Sequence, residues 1–261
     1  MLLYKMKLIK ITSLSFLFIF VILFSNTAFA QGLGENNFND TTLGQLASIN
    51  LHDHYLNFIQ RQSELYSGRE YIGFKEAAKG HQFLHSDLWQ SANIVFDGFL
   101  YKDIDTRFDI YEQLVLIKHF DENGRMVSIV PDQKKIKSFT IYDKFYLNMD
   151  FLDTVKNSSK VGFLQVIYNG DIKVLAKREK NTVNSSLSNL YKEFREKERY
   201  FILKDNELYK ISSKRAFLKV VPEYKKPLKK FARKRRMFFS DNKARFLKDM
   251  IEQYEFLKDN E

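Results

Sequence analysis

The residues best suited to chemistry are histidines, because a neutral imidazole can bind a metal ion or transfer a proton near neutral pH. Four of them form two close pairs, His52 with His54 and His81 with His85. Residues two apart on a helix point in different directions, whereas residues four apart share a face. Gly80 nevertheless disfavours a helix at the second pair, and Gln82 stands where a metalloprotease motif has its glutamate base. The pattern favours ordinary histidines, and we predict no metal ligand, no catalytic residue and no cofactor.

A row of acidic residues, Asp103, Asp105 and Asp109, is the second candidate site. Alternate residues of a strand share one side, so the three carboxylates could attract a hard cation. Calcium needs about 6–8 oxygen ligands arranged by a loop with a glycine turn, and the sequence has no such loop here. Arg107 lies among the three and offsets part of their charge. We therefore interpret the row as the solvated face of a strand.

A basic run over residues 225–236, KKPLKKFARKRR, is the third candidate. On a helix that starts near Pro227, its cations spread over the face opposite Leu228 and Phe231. The predicted anion-binding residues are Lys229, Lys230, Arg233, Lys234 and Arg236. Their partner would be an anionic envelope component, such as lipopolysaccharide or an acidic glycan, or an envelope protein. Nucleic acid is not expected, because Phe231 is predicted to be buried and cannot stack on bases. The alternative is a solubilising helix face, the usual role of a charge run.

The elements that position these residues follow from the spacing of apolar side chains. Residues 103–110 alternate strictly, with Ile104, Thr106, Phe108 and Ile110 on one face and Asp103, Asp105, Arg107 and Asp109 on the other. Only a strand with one buried and one solvated face has this period. Asp97-Gly98 before it and Glu112-Gln113 after it are interpreted as chain reversals. This strand is therefore predicted to lie in the middle of an antiparallel meander.

Short strands continue the meander on both sides. They are predicted at residues 70–74, 114–120, 125–130, 136–142, 144–147, 161–168, 171–176, 200–204 and 207–211. Asn123-Gly124, Asn169-Gly170 and Asp205-Asn206 are typical of hairpin turns. The segment 181–189, rich in Ser and Asn, is predicted to be a polar loop.

Helices are predicted at both ends of the strand region. An amphipathic helix over residues 48–66 ends at Gly68 in a left-handed cap. After residue 211 the apolar period changes to about 3.6. Three helices follow: one capped by Ser212 or Ser213 and ended by Pro222, one with Pro227 in its first turn, and one capped by Ser240 or Asp241. The predicted fold class is α+β, an antiparallel β-meander or roll preceded by one amphipathic helix and followed by two or three C-terminal helices.

The first thirty residues have the features of a signal peptide. Lysines near the start precede an apolar stretch over residues 11–24, and Ala28 and Ala30 supply the small residues of a cleavage site. Cleavage is predicted after Ala30. The apolar stretch is shorter than the roughly 20 residues that a spanning helix needs, and no transmembrane span is expected after cleavage. The chain has no cysteine, so the exported protein must be stable without disulfides.

The basic excess lies entirely at the C-terminal end. Residues 211–261 contain 15 Lys and Arg against 7 Asp and Glu, whereas residues 31–210 contain 24 against 25. A nearly neutral body with a cationic end indicates one localised electrostatic surface. The predicted organisation is a signal peptide (1–30), a flexible leader (31–47), a helix plus β-rich body (48–211) and a basic helical segment packed on that body (212–261).

Several segments together resemble a family of uncharacterised exported envelope proteins of Bacteroidetes. The similar segments are residues 65–71, 79–84, 96–98 with Tyr101, 108–111, 168–170, 175–178 and 200–202. The family usually has Asn in place of Ser67 and Pro in place of Gln82, changes that concern turns. The resemblance spans about residues 51–257 and implies an exported α+β envelope protein. No activity is assigned to this family, so the resemblance implies no catalytic or ligand-binding residue.

These observations favour a non-enzymatic, exported cell-envelope protein, either periplasmic or associated with the outer membrane or the cell exterior. No nucleophile elbow, P-loop or dinucleotide fingerprint is present in the sequence. Two alternatives stay open. The first is a small-ligand-binding β-rich domain with a cleft between the sheet and the N-terminal helix. The second is a metal-dependent hydrolase that uses His52, His81 or His85 with nearby acids.

Overall fold

A computed structural model describes residues 64–152, 155–157, 161–185 and 188–260. Within these ranges the chain forms a twelve-stranded sheet followed by three helices, which confirms the α+β class. The predicted signal peptide, the leader and most of the amphipathic helix lie outside the described residues. The end of that predicted helix, Glu64–Tyr66, is a 3-10 turn that buries Leu65.

The three helices and most of the strands lie where the sequence predicts them, whereas β2 was not predicted. The strands are β1 (Arg69–Glu70), β2 (Ala78–Lys79), β3 (Gln90–Phe96), β4 (Phe99–Asp109), β5 (Leu114–Phe120), β6 (Met126–Val130), β7 (Ile136–Ile141), β8 (Lys144–Asn148), β9 (Phe163–Asn169), β10 (Lys173–Ser185), β11 (Ser188–Lys204) and β12 (Glu207–Ile211). The helices are α1 (Lys214–Val220), α2 (Lys225–Lys234) and α3 (Lys243–Asp259).

The sheet consists of two antiparallel meanders. Its order is β1-β6-β5-β4-β3-β7-β8-β9-β10-β11-β12, and β2 pairs in parallel with β11. The two meanders meet where β3 lies beside β7. The predicted reversal between β3 and β4 is confirmed, because Asp97 and Gly98 have φ of 49° and 85°. These left-handed values match the twist of a two-residue hairpin turn.

The inner face of β4 leads into an aromatic core that joins the two meanders. The predicted apolar residues of this segment are all buried: Ile104, Thr106, Phe108 and Ile110. The Phe108 ring lies 5.2 Å from Phe139, 5.5 Å from Tyr146 and 5.9 Å from Phe163, measured between ring centroids. These rings belong to β4, β7, β8 and β9, so four strands share one cluster. Edge-to-face aromatic pairs each add about 0.5–1.5 kcal/mol beyond the burial of their area.

The predicted polar loop at 181–189 is wrong. Strand β10 continues to Ser185 and β11 begins at Ser188, so the segment belongs to a long two-stranded ribbon. Charged residues pair across the ribbon, with Arg178 beside Glu198 and Lys180 beside Glu196. Opposite charges placed across from each other stabilise this ladder. Residues 181–184 continue it by pairing with residues 192–195 of β11, a pairing that the Ser and Asn composition does not reveal.

At two positions glycine is required because a neighbouring atom leaves no room for a Cβ atom, and not because the backbone has a positive φ. Gly68 does not adopt the predicted left-handed cap; a Cβ atom there would lie 2.2 Å from the carbonyl oxygen of Val130 on β6. Gly170 lies in the predicted β9–β10 hairpin, which is confirmed, but a Cβ atom there would lie 2.5 Å from the Glu255 carboxylate on α3. The Glu255 carboxylate accepts hydrogen bonds from the Tyr168 hydroxyl at 2.5 Å and the Ile172 amide at 3.1 Å. The C-terminal helix therefore holds this turn.

The three helices cover the inner face of β10, β11 and β12. The shared apolar cluster includes Val174, Ile202 and Ile211 from the strands and Phe217, Leu228 and Leu247 from the helices. The side chain of Ser213 caps α1 as predicted, since it accepts a hydrogen bond from the Ala216 amide at 3.1 Å. The cap of α3 is Asn242, not Ser240 or Asp241; its side chain accepts from the Arg245 amide at 2.9 Å.

The variant Phe139→Ala tests the shared aromatic core. Removing this ring leaves a cavity that the neighbouring strands cannot fill, so we expect a loss of about 3–5 kcal/mol in the free energy of unfolding. Urea unfolding followed by tryptophan fluorescence measures it. Phe145→Ala on the next strand is the control, because that ring is 43% exposed and its loss should cost less than about 1 kcal/mol. Equal losses in the two variants would contradict the proposed core.

Candidate functional site: the basic face of helix α2

Burial of one side of α2 fixes the direction of its cations. Leu228 and Ala232 are almost completely buried in the apolar cluster beneath the helices, and Phe231 packs against its edge. These residues are three and four apart, which gives a helix one apolar stripe. The predicted apolar face of this helix is therefore confirmed. The helix cannot rotate about its axis without exposing that stripe.

All the basic side chains of residues 225–236 are exposed as a consequence. They are Lys225, Lys226, Lys229, Lys230, Arg233, Lys234, Arg235 and Arg236, and we call them the basic face. It contains the five predicted anion-binding residues together with Lys225, Lys226 and Arg235, which the sequence analysis did not select. Within the described part of the chain, no member of the basic face forms an ion pair with a carboxylate.

The acidic residues nearest to α2 in the sequence are engaged elsewhere. Glu223 accepts hydrogen bonds from the Lys204 ammonium at 2.8 Å and from the Tyr254 hydroxyl at 2.7 Å. Burial, the largest single effect, raises the pKa of Glu223, but these donors together outweigh it and hold that pKa below its ordinary value. Asp241 accepts a hydrogen bond from the Ser240 hydroxyl at 3.0 Å. The positive charge of α2 is therefore left to solvent or to an external anion.

A cleft of about 320 Å³ adjoins the C-terminal end of the basic face. Arg235 and Arg236 line it together with Arg245 of α3, and the Phe238 ring, 63% exposed, stands at its edge. Arg236 has φ of 52°, a left-handed value that turns the chain from α2 towards α3. Guanidinium groups bind phosphate oxygens in a two-pronged geometry. Asp241 and Asp249 also line the cleft, Arg245 pairs with Asp249 at 3.7 Å, and the Arg235 guanidinium lies over the Phe231 ring, 4.8 Å from its centroid. Neither Arg235 nor Arg236 pairs with a carboxylate among the described residues, so the guanidinium donors of both can still bind an anion.

Sequence reasoning missed Arg245 and Phe238 as parts of this surface. Both come together with Arg236 only because the chain reverses after α2. A left-handed residue at a helix end is usually glycine, and Arg236 gives no such signal. The cleft could therefore not be predicted from spacing.

The acidic row does not form a single solvated face. Asp103 and Asp105 are exposed as predicted, and the Lys118 ammonium donates to Asp105 at 2.9 Å. The prediction is wrong for Asp109, which is fully buried. Its carboxylate accepts hydrogen bonds from the Tyr71 hydroxyl and from the backbone amides of Tyr111 at 2.8 Å and Glu112 at 2.9 Å. Asp109 thus closes the β4–β5 turn from inside the protein, whereas Asp103 and Asp105 face the solvent.

The histidines that the structure describes have separate neighbours. The His81 ring lies against Phe83, and burial followed by the nearby Lys180 ammonium lowers the pKa of His81. The Nε2 atom of His85 lies 3.0 Å from the Lys144 ammonium, and burial, with Lys144 next, lowers the pKa of His85. Among the described residues, no group of three or more His, Asp or Glu is arranged to hold a metal ion. His52 and His54 lie outside these residues, as does the predicted cleft beside the N-terminal helix.

Comparison with known proteins gives no relative. No family model, no curated protein and no solved structure matches the chain. In the part of the chain that the structure describes, no helix has both the length and the apolar character needed to cross a bilayer.

The variant Asp109→Asn tests the buried carboxylate through its pH dependence. Burial raises the pKa of Asp109 above its ordinary value, against the opposing effect of its hydrogen bonds. An acid with a raised pKa contributes stability that is complete below about pH 4, its unfolded pKa, and that is lost as the pH rises through the folded pKa. The asparagine cannot lose this contribution. We therefore expect the free energy of unfolding of the wild type, measured relative to that of Asp109→Asn, to fall as the pH rises from about 4 through the folded pKa.

Urea unfolding at a series of pH values measures this difference. Asp109→Ala is the comparison variant, because it leaves two backbone amides unpaired and, like asparagine, does not titrate; it should be less stable than Asp109→Asn by about 1–3 kcal/mol at every pH. A wild type that gains stability relative to Asp109→Asn as the pH rises would show that the charged carboxylate is favoured in the fold, contrary to this assignment.

Proposed function

We propose that this protein is an exported, non-enzymatic cell-envelope protein that docks through α2 on a phosphate-bearing envelope component such as lipopolysaccharide. The observation that carries the proposal is the basic face itself, eight exposed cations without a carboxylate partner in the described part of the chain. The proposal also includes three predictions from the sequence: the export signal, the amphipathic helix at residues 48–66 and the resemblance to exported envelope proteins. An acidic glycan or an envelope protein is the other class of partner that the sequence allows.

The arrangement of charge on α2 disfavours a purely solubilising role. Like charges stand four residues apart along the helix at Lys225 and Lys229, and again at Lys229 and Arg233. Each such pair destabilises a helix by about 0.2–0.5 kcal/mol. Elsewhere in the described sheet, lysines and arginines pair across strands, as Arg199 does with Glu179. A solubilising face could alternate positive and negative side chains and so avoid this destabilisation, whereas an anion-binding face needs positive side chains alone.

The strength of docking follows from the number of cations. Each Lys or Arg near an anionic membrane surface contributes about 1 kcal/mol, within a screening length of about 8 Å at physiological salt. Several cations on one rigid helix face can approach a flat surface together, because the helix holds them in register. Arg235 and Arg236 add the two-pronged geometry that phosphate oxygens favour. The exposed Phe238 ring beside them can enter the interface between headgroups and acyl chains.

The triple variant Lys229→Glu, Arg233→Glu, Arg236→Glu tests the proposal. Loss of three cations alone should weaken binding by about 3 kcal/mol, roughly a hundredfold, and the added negative charge weakens it further. Co-sedimentation of the full chain with vesicles that contain lipopolysaccharide, over a series of salt concentrations, measures this. Wild-type binding should fall steeply with salt.

A second triple variant, Lys75→Glu, Lys137→Glu, Lys210→Glu, is the matched control. It changes the net charge equally, at exposed lysines outside the helices, and should bind the vesicles nearly as wild type does. Equal loss in both variants would mean that overall charge and not α2 governs binding. If the α2 variant bound the vesicles with the same affinity and salt dependence as wild type, the basic face would not be the docking surface. If the protein bound only to a protein of the envelope fraction, that protein and not lipopolysaccharide would be the partner.

A further inference from the structure

The cleft at the C-terminal end of α2, which we call the arginine cleft, contains groups of both charges. Arg235, Arg236 and Arg245 line it together with Asp241 and Asp249. Among the described residues, the one ion pair within this lining is that between Arg245 and Asp249, at 3.7 Å. Opposite charges therefore share a cleft of about 320 Å³ without closing it, and a ligand can lie between them.

The donors of the arginine cleft suit a phosphate group. The Arg235 guanidinium is placed by the Phe231 ring beneath it, and Arg236 follows at the turn, with an exposed side chain. The side-chain oxygen of Asn242, also in the lining, accepts from the Arg245 amide at 2.9 Å, so its NH₂ group is left to donate to a ligand. A phosphate group carries several acceptor oxygens and can bind all of these donors at once.

The two carboxylates of the arginine cleft suit a positively charged donor. Asp241 is exposed and accepts a hydrogen bond at one oxygen, from the Ser240 hydroxyl at 3.0 Å. The distance of 3.7 Å between Asp249 and Arg245 is longer than a hydrogen bond, so Asp249 can also accept from a ligand. Both carboxylates repel a simple phosphate ion, whereas an ammonium group would pair with them.

The surroundings of the arginine cleft indicate a lipid and not a free zwitterion. Phe238 lines the cleft with a ring that is 63% exposed, and the cations of α2 continue from the cleft along the helix. An exposed ring beside a cationic helix face is typical of a surface that enters the boundary between headgroups and acyl chains. A headgroup that occupied the cleft would therefore have its acyl chains on the side of Phe238.

We propose that the arginine cleft binds the phosphoethanolamine headgroup of a phospholipid. The phosphate accepts hydrogen bonds from Arg235 and Arg236, and the primary ammonium donates to Asp241 and Asp249. A phosphate alone leaves the two carboxylates opposed to it, and an amine alone leaves the two guanidinium groups without an anion. A choline headgroup has no N–H group to donate. The choice of a lipid rests on the proposed function, because docking through α2 brings the cleft to a membrane surface.

Co-sedimentation of the full chain with two sets of vesicles tests the proposal. Both sets contain the same fraction of phosphatidylglycerol, and the remainder is phosphatidylethanolamine in one set and phosphatidylcholine in the other. The two sets therefore differ in the N–H donors of the headgroup and not in net charge. Wild type should bind the phosphatidylethanolamine set about tenfold more tightly. Equal binding to the two sets, or tighter binding to the phosphatidylcholine set, would overturn the proposal.

The double variant Asp241→Asn, Asp249→Asn assigns this preference to the cleft. It should lose the tenfold preference, because the ammonium acceptors are gone, while its binding to the phosphatidylcholine set strengthens as the surface becomes more cationic. Glu122→Gln, Asp205→Asn is the matched control: it removes two exposed carboxylates that do not line the cleft and should keep the preference. A preference that persists in the cleft variant would come from the vesicles themselves and would overturn the proposal.

The two proposals fail in different ways. If wild type binds both vesicle sets equally and in a salt-sensitive manner, the headgroup site is overturned and docking through α2 stands. If wild type prefers phosphatidylethanolamine but the triple variant of α2 binds lipopolysaccharide vesicles as wild type does, docking through α2 is overturned and the headgroup site stands.

Discussion

Burial of Leu228 and Ala232 beneath the helices is the constraint on which the rest of the account depends. Those two positions set the rotation of α2, and the rotation directs the six cations of the helix itself to solvent, next to Arg235 and Arg236 at its end. The α1–α3 segment is held to the sheet over β10–β12 by the same apolar cluster, and Glu255 of α3 holds the β9–β10 turn. The charged surface is therefore attached to a rigid sheet, so its cations face a partner in a fixed arrangement.

Charged residues form ion pairs in the sheet, whereas the cations of α2 are left unpaired in the described part of the chain. Across β10 and β11, cations and carboxylates stand opposite each other, as Arg178 does with Glu198. This pairing lets a long ribbon form from a sequence with little apolar alternation. On α2 the cations form no ion pair with a carboxylate in the described part of the chain, and the acids that flank the helix bind other groups. One chain thus uses charge for folding in one region and leaves it free for recognition in another.

Much of the fold could be predicted from local signals. The period of two in β4 and the change to a period of 3.6 after residue 211 were sufficient to place the meander, the three helices and the buried side of α2. The errors came from contacts between distant residues. Asp109 alternates like an exposed residue but accepts from Tyr71, 38 residues away. Gly68 and Gly170 are fixed by Val130 and Glu255, which spacing cannot reveal. The arginine cleft likewise depends on segments that meet only in the folded chain.

Amine footprinting tests the central claim most directly. Lysines of the intact protein would be acylated with and without vesicles that contain lipopolysaccharide, and the modified sites would be identified by mass spectrometry. The account predicts that Lys229, Lys230 and Lys234 become protected when the vesicles are present, while Lys75, Lys137 and Lys210 react as before. Equal protection of both sets, or protection confined to Lys75, Lys137 and Lys210, would contradict a docking surface on α2.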